Sequence, residues 1–280
     1  MKRILFTVLA LVGSLSLLQA QKTCCMKPAD NEFAMLTSRK DFHDAHLAPE
    51  PFTYVAESGK MTSFSTPDGK TGSAFVVKSE KKTKNVVIMV HEWWGLNDYI
   101  KREAETLQKE LGNADVYAVD LYDGQVAADP QTAGKLMGGM SPERAANIIK
   151  GLIASFGPDV NVATIGWCMG GSWSFQSALL AGAKTKACVM YYGFPEKDVE
   201  KMKPLASDIL FIQATQDGFI KNEDVDTFAK SLQSVGKTIT IKQYAADHAF
   251  ANPSNPKYSK AFADEAHQIA LTYLKKGLGL

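Results

Sequence analysis

From residue 85 onward, short continuous apolar runs alternate with longer stretches in which apolar side chains recur every three or four residues. The short runs lie at 86–90, 116–121, 162–166, 187–192, 209–214 and 238–244. Several of them have the length and β-branched content of strands covered on both faces. The periodic stretches near 98–111, 142–155, 169–181, 221–235 and 257–276 read as helices. Ser141-Pro142-Glu143 gives one of them a clear start, a serine cap followed by proline in the first turn. Earlier in the chain, Pro67-Asp68-Gly69-Lys70 is a turn between two strand-like runs, so 60–66 and 72–79 are expected to pair as a hairpin. Strand and helix in strict alternation predict one α/β domain over 61–280, with a mostly parallel central sheet and helices on both faces.

The pattern before residue 61 is different. Lys2 and Arg3 precede an apolar run from Ile4 to Leu18, followed by Gln19-Ala20. That layout is a signal peptide over 1–20, with cleavage after Ala20 and a periplasmic or secreted destination. The run of fifteen residues is shorter than the ~20 a spanning helix needs, so no stable membrane span is expected after cleavage. Lipid attachment at Cys24 lacks its small preceding residue, because Gln21-Lys22-Thr23 stands there. Residues 21–60 form an arm containing Pro28, Pro49 and Pro51. A short helix is expected within 31–42, and the remainder should lie extended over the main domain.

Composition narrows the possible partners. The chain carries 31 basic and 30 acidic side chains, a net charge of +1. Such a balance offers no electrostatic footprint for nucleic acid and little attraction to an anionic membrane. A small, largely uncharged substrate fits better, acted on by a monomer or small homo-oligomer. Four cysteines are present; an exported protein can carry disulfides, but a chain of this length does not need a framework of them. Cys188 lies in an apolar run and reads as core, whereas Cys24 and Cys25 are adjacent in a polar segment.

Cys168 stands apart. Gly166-Trp167-Cys168-Met169-Gly170-Gly171 follows an apolar strand and precedes a helix rich in small residues. This is the strand–turn–helix setting of a nucleophile elbow, with cysteine in place of serine. The turn is sharp, and side chains at Gly166 or Gly170 would strike neighbouring backbone. A thiol at a helix N-terminus is also favoured as thiolate by the free N–H groups there. An elbow of this kind takes an acid after a later strand and a histidine after the last one, in that chain order. Asp217 follows the run at 209–214, and His248 follows the run at 238–244. Asp247 is a rival acid whose adjacency to His248 makes the geometry awkward. The expected catalytic set is therefore Cys168, Asp217 and His248 on an α/β-hydrolase fold.

His91-Glu92-Trp93-Trp94-Gly95-Leu96 follows the strand at 86–90. The loop in this position contributes one oxyanion-hole amide and the residue after the nucleophile the other, here Trp93 and Met169. Glu92 adds a carboxylate facing the thiol, so the two groups should titrate as a pair. His91 is expected to be structural, since His248 fills the base position. Trp94, Trp167, Tyr122, Phe219 and Phe250 are candidates for an aromatic substrate pocket. No cofactor is implied. His43, Asp44 and His46 have metal-ligating side chains, but histidines in an arm are expected to be solvated, and no metal is assigned.

With these pieces in view, the chain from about 59 to 280 resembles the dienelactone hydrolase family. The likeness is carried by His91 to Asn97, Val119-Asp120-Leu121-Tyr122, Gly166 to Gly171, Tyr191-Tyr192-Gly193, Gln216-Asp217 and Asp247-His248-Ala249-Phe250. The resemblance implies a cysteine nucleophile at Cys168, an orienting Asp217, a base at His248, and Glu92 as the group that helps switch the thiol on when substrate binds. Family members of the chlorocatechol pathway hold the substrate carboxylate with two arginines. Asn252 stands in the first position here, and the second region, 129–140, offers only Lys135. The family's exported branch with an N-terminal arm is the better match. The reading is a hydrolase of carboxylic esters or lactones that works through a cysteine acyl-enzyme. The same cysteine leaves two other classes to weigh: a thiol redox protein, and a non-catalytic binding protein on a hydrolase scaffold.

Overall fold

The computed structural model describes residues 35–280. The signal-peptide expectation and Cys24 and Cys25 lie outside the described residues. A hairpin of β1 (Lys60–Ser65) and β2 (Thr71–Val77) leads into six further strands, β3 (Asn85–Val90), β4 (Asp115–Asp120), β5 (Asn161–Trp167), β6 (Thr185–Tyr191), β7 (Ile209–Ala214) and β8 (Ile239–Tyr244). They form one eight-stranded sheet in the order β1-β2-β4-β3-β5-β6-β7-β8. β1 and β2 pair antiparallel, as do β2 and β4, and every pairing from β4 across to β8 is parallel. β3 and β7 are buried at every position and β5 at nearly every one, as their unbroken apolar runs require.

The helices are α1 (Lys40–Asp44), α2 (Asp98–Leu111), α3 (Pro130–Gly139), α4 (Pro142–Ala154), α5 (Met169–Ala181), α6 (Val199–Met202), α7 (Asn222–Ser234) and α8 (Lys260–Leu278). α2 is capped by Asn97, whose side chain accepts from the Ile100 amide, and α4 by Ser141, as its sequence predicts. α5 is the helix that leaves the elbow. It is buried on nearly all sides, which its Ser, Gly and Ala content permits. The sequence pattern gave no sign of α3, whose residues Pro130-Gln-Thr-Ala-Gly-Lys-Leu-Met-Gly-Gly139 carry little period. Asp129 caps its start, and Gly134 and Gly138 form a flat seat on which His43 and Thr37 of the arm rest.

The arm is docked at two points. Glu105 of α2 is almost wholly buried and accepts hydrogen bonds from the Tyr54 hydroxyl and from the amides of Glu57, Ser58 and Gly59. Burial alone would raise its pKa; these donors outweigh it and hold the carboxyl at about 2. Further upstream, Leu36 and Phe42 enter the core, with Phe42 fully buried between Trp93 and Phe219. Of the stretch 31–42 in which a short helix was expected, 31–34 lie outside the described residues, Met35 and Leu36 are helical, and 40–42 begin α1, which runs on to Asp44. The expectation of solvated arm histidines is overturned. His46 is 4% exposed, and His43 is half-buried with Nε2 bonded to the Thr37 carbonyl.

Candidate active site

Every side chain of the expected set sits at the carboxyl ends of the parallel strands, where loops of an open α/β sheet converge. Cys168 joins β5 to α5 with φ +56° and ψ −124°. A non-glycine residue in that conformation is strained and is held there by its surroundings. The surroundings are glycine. A Cβ on Gly166 would stand 2.0 Å from the Gly170 carbonyl oxygen, and one on Gly170 would stand 2.3 Å from that of Val90. The crossing of strand and helix is thus so close that only hydrogen fits at either position.

Three side chains form a line from this turn. Cys168 Sγ is 3.2 Å from His248 Nε2, and His248 Nδ1 is 2.6 Å from Asp217 Oδ2. The other Asp217 oxygen accepts from the amides of Phe219 and Ile220. Burial pushes Asp217 up, but His248 and these amides outweigh it and leave the carboxyl below its usual range. His248 is buried, which disfavours its charge, yet Asp217 and Cys168 raise its pKa well above the ordinary value. The thiol is raised, first by burial and then by the charge of Glu92, against lowering by His248 and the Met169 amide. A proton moved from sulfur to imidazole is accordingly stabilised by Asp217 on one side and resisted by Glu92 on the other. Asp247 takes no part: it is paired with Lys257 at 2.9 Å.

Glu92 is buried, and its pKa is raised to about 7, first by burial and against the lowering influence of His248, Asn252 and Tyr192. Tyr192 donates its hydroxyl to Oε1 at 3.4 Å, and the Asn252 side-chain amide donates to Oε2. The residue standing in the first arginine position therefore holds Glu92 instead. Tyr192 is a partner that sequence reasoning missed, although its dipeptide was noted. Lys135, the other substitute, is exposed on α3. His91 is fully buried, with Nδ1 donating to the Glu92 carbonyl and Nε2 accepting from the Leu121 amide, so both nitrogens are used in the fold.

A cavity of about 390 Å³ opens on the Glu92 side, lined there by Trp94, Trp167, Tyr191 and Asn252. Its outer end is charged, with Arg102, Glu103, Glu110 and His267. His267 is raised to about 9, chiefly by its bond to Glu103. Of the five candidate aromatics, Trp94 and Trp167 line this cavity and the other three do not. Tyr122 is buried behind the elbow with its hydroxyl on the Met169 sulfur. Phe250 is core, packed on Tyr192, Tyr244 and Phe262. Phe219 faces His248, but its other neighbours are Phe42 and His46 of the arm. In each case an aromatic near the site in sequence is used to pack a loop. The side chain of Trp93 does the same against Phe42 and His46, which leaves its backbone as the part available for chemistry.

The family model for the dienelactone hydrolase family matches residues 73–278. The chain belongs to that family. Among curated relatives, a putative carboxymethylenebutenolidase of Aquifex aeolicus is 29% identical over 200 residues, covering 68% of this chain and 87% of its own. The carboxymethylenebutenolidase of Pseudomonas putida is 28% identical over 222 residues, 74% and 92% of the two chains. In fold, the chain is similar to a putative dienelactone hydrolase of Klebsiella pneumoniae. That structure has a TM-score of 0.65 at 22% identity, covering 79% of this chain and all of the other. An esterase of Pyrococcus furiosus shares the fold at a TM-score of 0.58 and 14% identity, covering 82% and 99%. The family match begins within the β1–β2 hairpin, so the arm contacts lie outside it.

Proposed function

We propose that this chain hydrolyses a carboxylic ester or lactone by acyl transfer through Cys168. The observation that carries the reading is the line Cys168–His248–Asp217, with contacts of 3.2 and 2.6 Å, set on a strained elbow beside a cavity. His248, oriented by Asp217, takes the thiol proton, and the sulfur attacks the carbonyl carbon. The amides of Trp93 and Met169 receive the oxyanion, each worth about 3–4 kcal/mol in the barrier. His248 returns the proton to the leaving alkoxide, then removes one from water, which cleaves the thioester and frees the acid.

Glu92 gates the thiol. An ionised Glu92 opposes the thiolate, whereas a substrate that draws the Asn252 amide away makes the carboxylate more basic, so that Glu92 takes a proton from solvent and, neutral, no longer resists the transfer of the thiol proton to His248. The aromatic inner wall of the cavity favours an apolar acyl group, and the absence of arginine at 252 removes one cationic hold on a substrate carboxylate. The test is turnover of small aryl esters and unsaturated lactones by the protein and by Cys168→Ala. Loss of activity in the variant is expected; equal turnover would overturn the reading.

We further propose export, on the strength of the N-terminal sequence pattern. N-terminal sequencing of the mature protein should begin at Gln21. Among the described residues no helix is long and apolar enough to cross a membrane.

A further inference from the structure

The arm brings a third ligating side chain to the triad. A ring nitrogen of His46, the sulfur of Cys168 and a ring nitrogen of His248 all lie within 4.8 Å of one another, and all three residues are buried. His46 Nδ1 is 2.7 Å from the Phe42 carbonyl oxygen. A carbonyl only accepts, so Nδ1 carries the ring proton and Nε2 presents a lone pair. That Nε2 is buried and has no hydrogen-bond partner among the described residues. A buried acceptor without a donor weakens a fold unless something fills its need. Phe42 already packs on the same Trp93 and Phe219 rings that His46 touches, so packing alone gives no reason for an imidazole here.

We propose that His46, Cys168 and His248 form a binding site for a thiophilic divalent cation, Zn²⁺ above all. One thiolate and two neutral imidazoles are a donor set that zinc favours. The outer contacts that orient ligating histidines are already in place. His248 gives its other nitrogen to the Asp217 carboxylate, and His46 gives its own to a backbone carbonyl. On binding, the thiol proton leaves to solvent as sulfur coordinates the metal, and His248 binds through the nitrogen that otherwise meets Sγ. Three protein ligands leave a coordination position for water. The consequence rests on the hydrolase reading given above: with Cys168 and His248 both bound to metal, neither nucleophile nor base is available, and zinc switches the enzyme off. Because His46 belongs to the arm, this sensitivity belongs to the arm-bearing chain and not to the triad alone.

The test titrates Zn²⁺ into the full chain by calorimetry, and Co²⁺ by absorption, after removal of metal with a chelator. Cys24→Ser and Cys25→Ser are included in every protein so that those thiols do not compete. One equivalent should bind, with a sulfur-to-cobalt charge-transfer band. Cys168→Ser should abolish that band. His46→Ala, and His46→Gln as a variant closer in volume, should each weaken binding on the order of 100-fold or more, with folding checked by Tm. His43→Ala, in the same arm but outside the cluster, should keep the affinity. Unchanged zinc affinity in both His46 variants, or a cobalt spectrum without the sulfur band, would overturn the site. Full ester turnover with zinc bound would overturn the switch. Turnover in metal-free buffer, against Cys168→Ala, reads the hydrolase proposal separately, because the cobalt band does not depend on catalysis.

Discussion

The two sides of Cys168 are built in opposite ways. On the His248 side, Asp217 is fixed by two amides, and Phe219, Phe42 and His46 close the space over the imidazole. On the Glu92 side, a buried carboxylate is held by two neutral donors and looks onto an open cavity. The first side keeps the His248 imidazole buried and in one orientation, which strengthens its electrostatics and suits the base of the proposed reaction. The second holds a group near its point of charge change, where an arriving substrate has something to displace. The contrast places the fixed machinery under the arm and the adjustable group at the entrance.

Four experiments test this division, taken from the largest effect down. Cys168→Ala should lower kcat/KM on the order of 10⁴-fold or more, measured with an aryl ester, since the remaining groups act only through the nucleophile. Phe42→Ala opens a cavity against Trp93 and Phe219 and should cost about 3–5 kcal/mol of stability, read by chemical denaturation. If the arm belongs to the base side as argued, that variant also loses activity under conditions where it remains folded. Unchanged kcat would reduce the arm to a stabilising strap.

Glu92→Gln should act in the other direction on stability. The Glu92 pKa is raised from 4.5 to about 7 in the folded state. The folded protein therefore binds more protons than the unfolded chain between those values, and stability falls as pH rises through that window. Above pH 7 the ionised carboxylate costs about 3 kcal/mol, which the glutamine variant should recover in denaturation at pH 8 but not at pH 4. Its kcat/KM profile should lose the ionisation near neutrality; a profile identical to the parent would remove Glu92 from the gate. Asn252→Arg is the mildest change. It should shift preference toward lactones bearing a carboxylate by about tenfold, ~1.4 kcal/mol, measured as a ratio of kcat/KM values for charged and uncharged substrates.

Much of the outcome could be read from local pattern. The strands covered on both faces, β3 to β7, have little freedom but to be continuous apolar runs and were legible to within a residue or two, whereas β8 is a half-exposed edge strand. The glycines at 166 and 170 announce a close crossing because no other residue tolerates one. Asp217 and His248 could be picked as candidates because each follows a strand at its carboxyl end, and strand ends are where an open sheet gathers its loops. α3 was not legible, since its glycines serve a neighbour rather than the helix. The aromatic positions were the poorest guide. Nothing in the residue type of Tyr122, Phe219 or Phe250 says whether a ring faces a cavity or packs a loop.

What the sequence by itself determined, then, is the α/β alternation, the strand–turn–helix at Cys168 and the order of the candidate residues, because these are local patterns or successions along the chain. Only the tertiary structure decided which groups surround Cys168. Tyr192 and Asn252 reach Glu92 across 100 and 160 residues, and His46 of the arm comes to lie against His248. Such contacts depend on how the arm and the loops fold back over the sheet edge. No periodicity or spacing encodes them, since the residues involved share neither an element nor a stretch of chain.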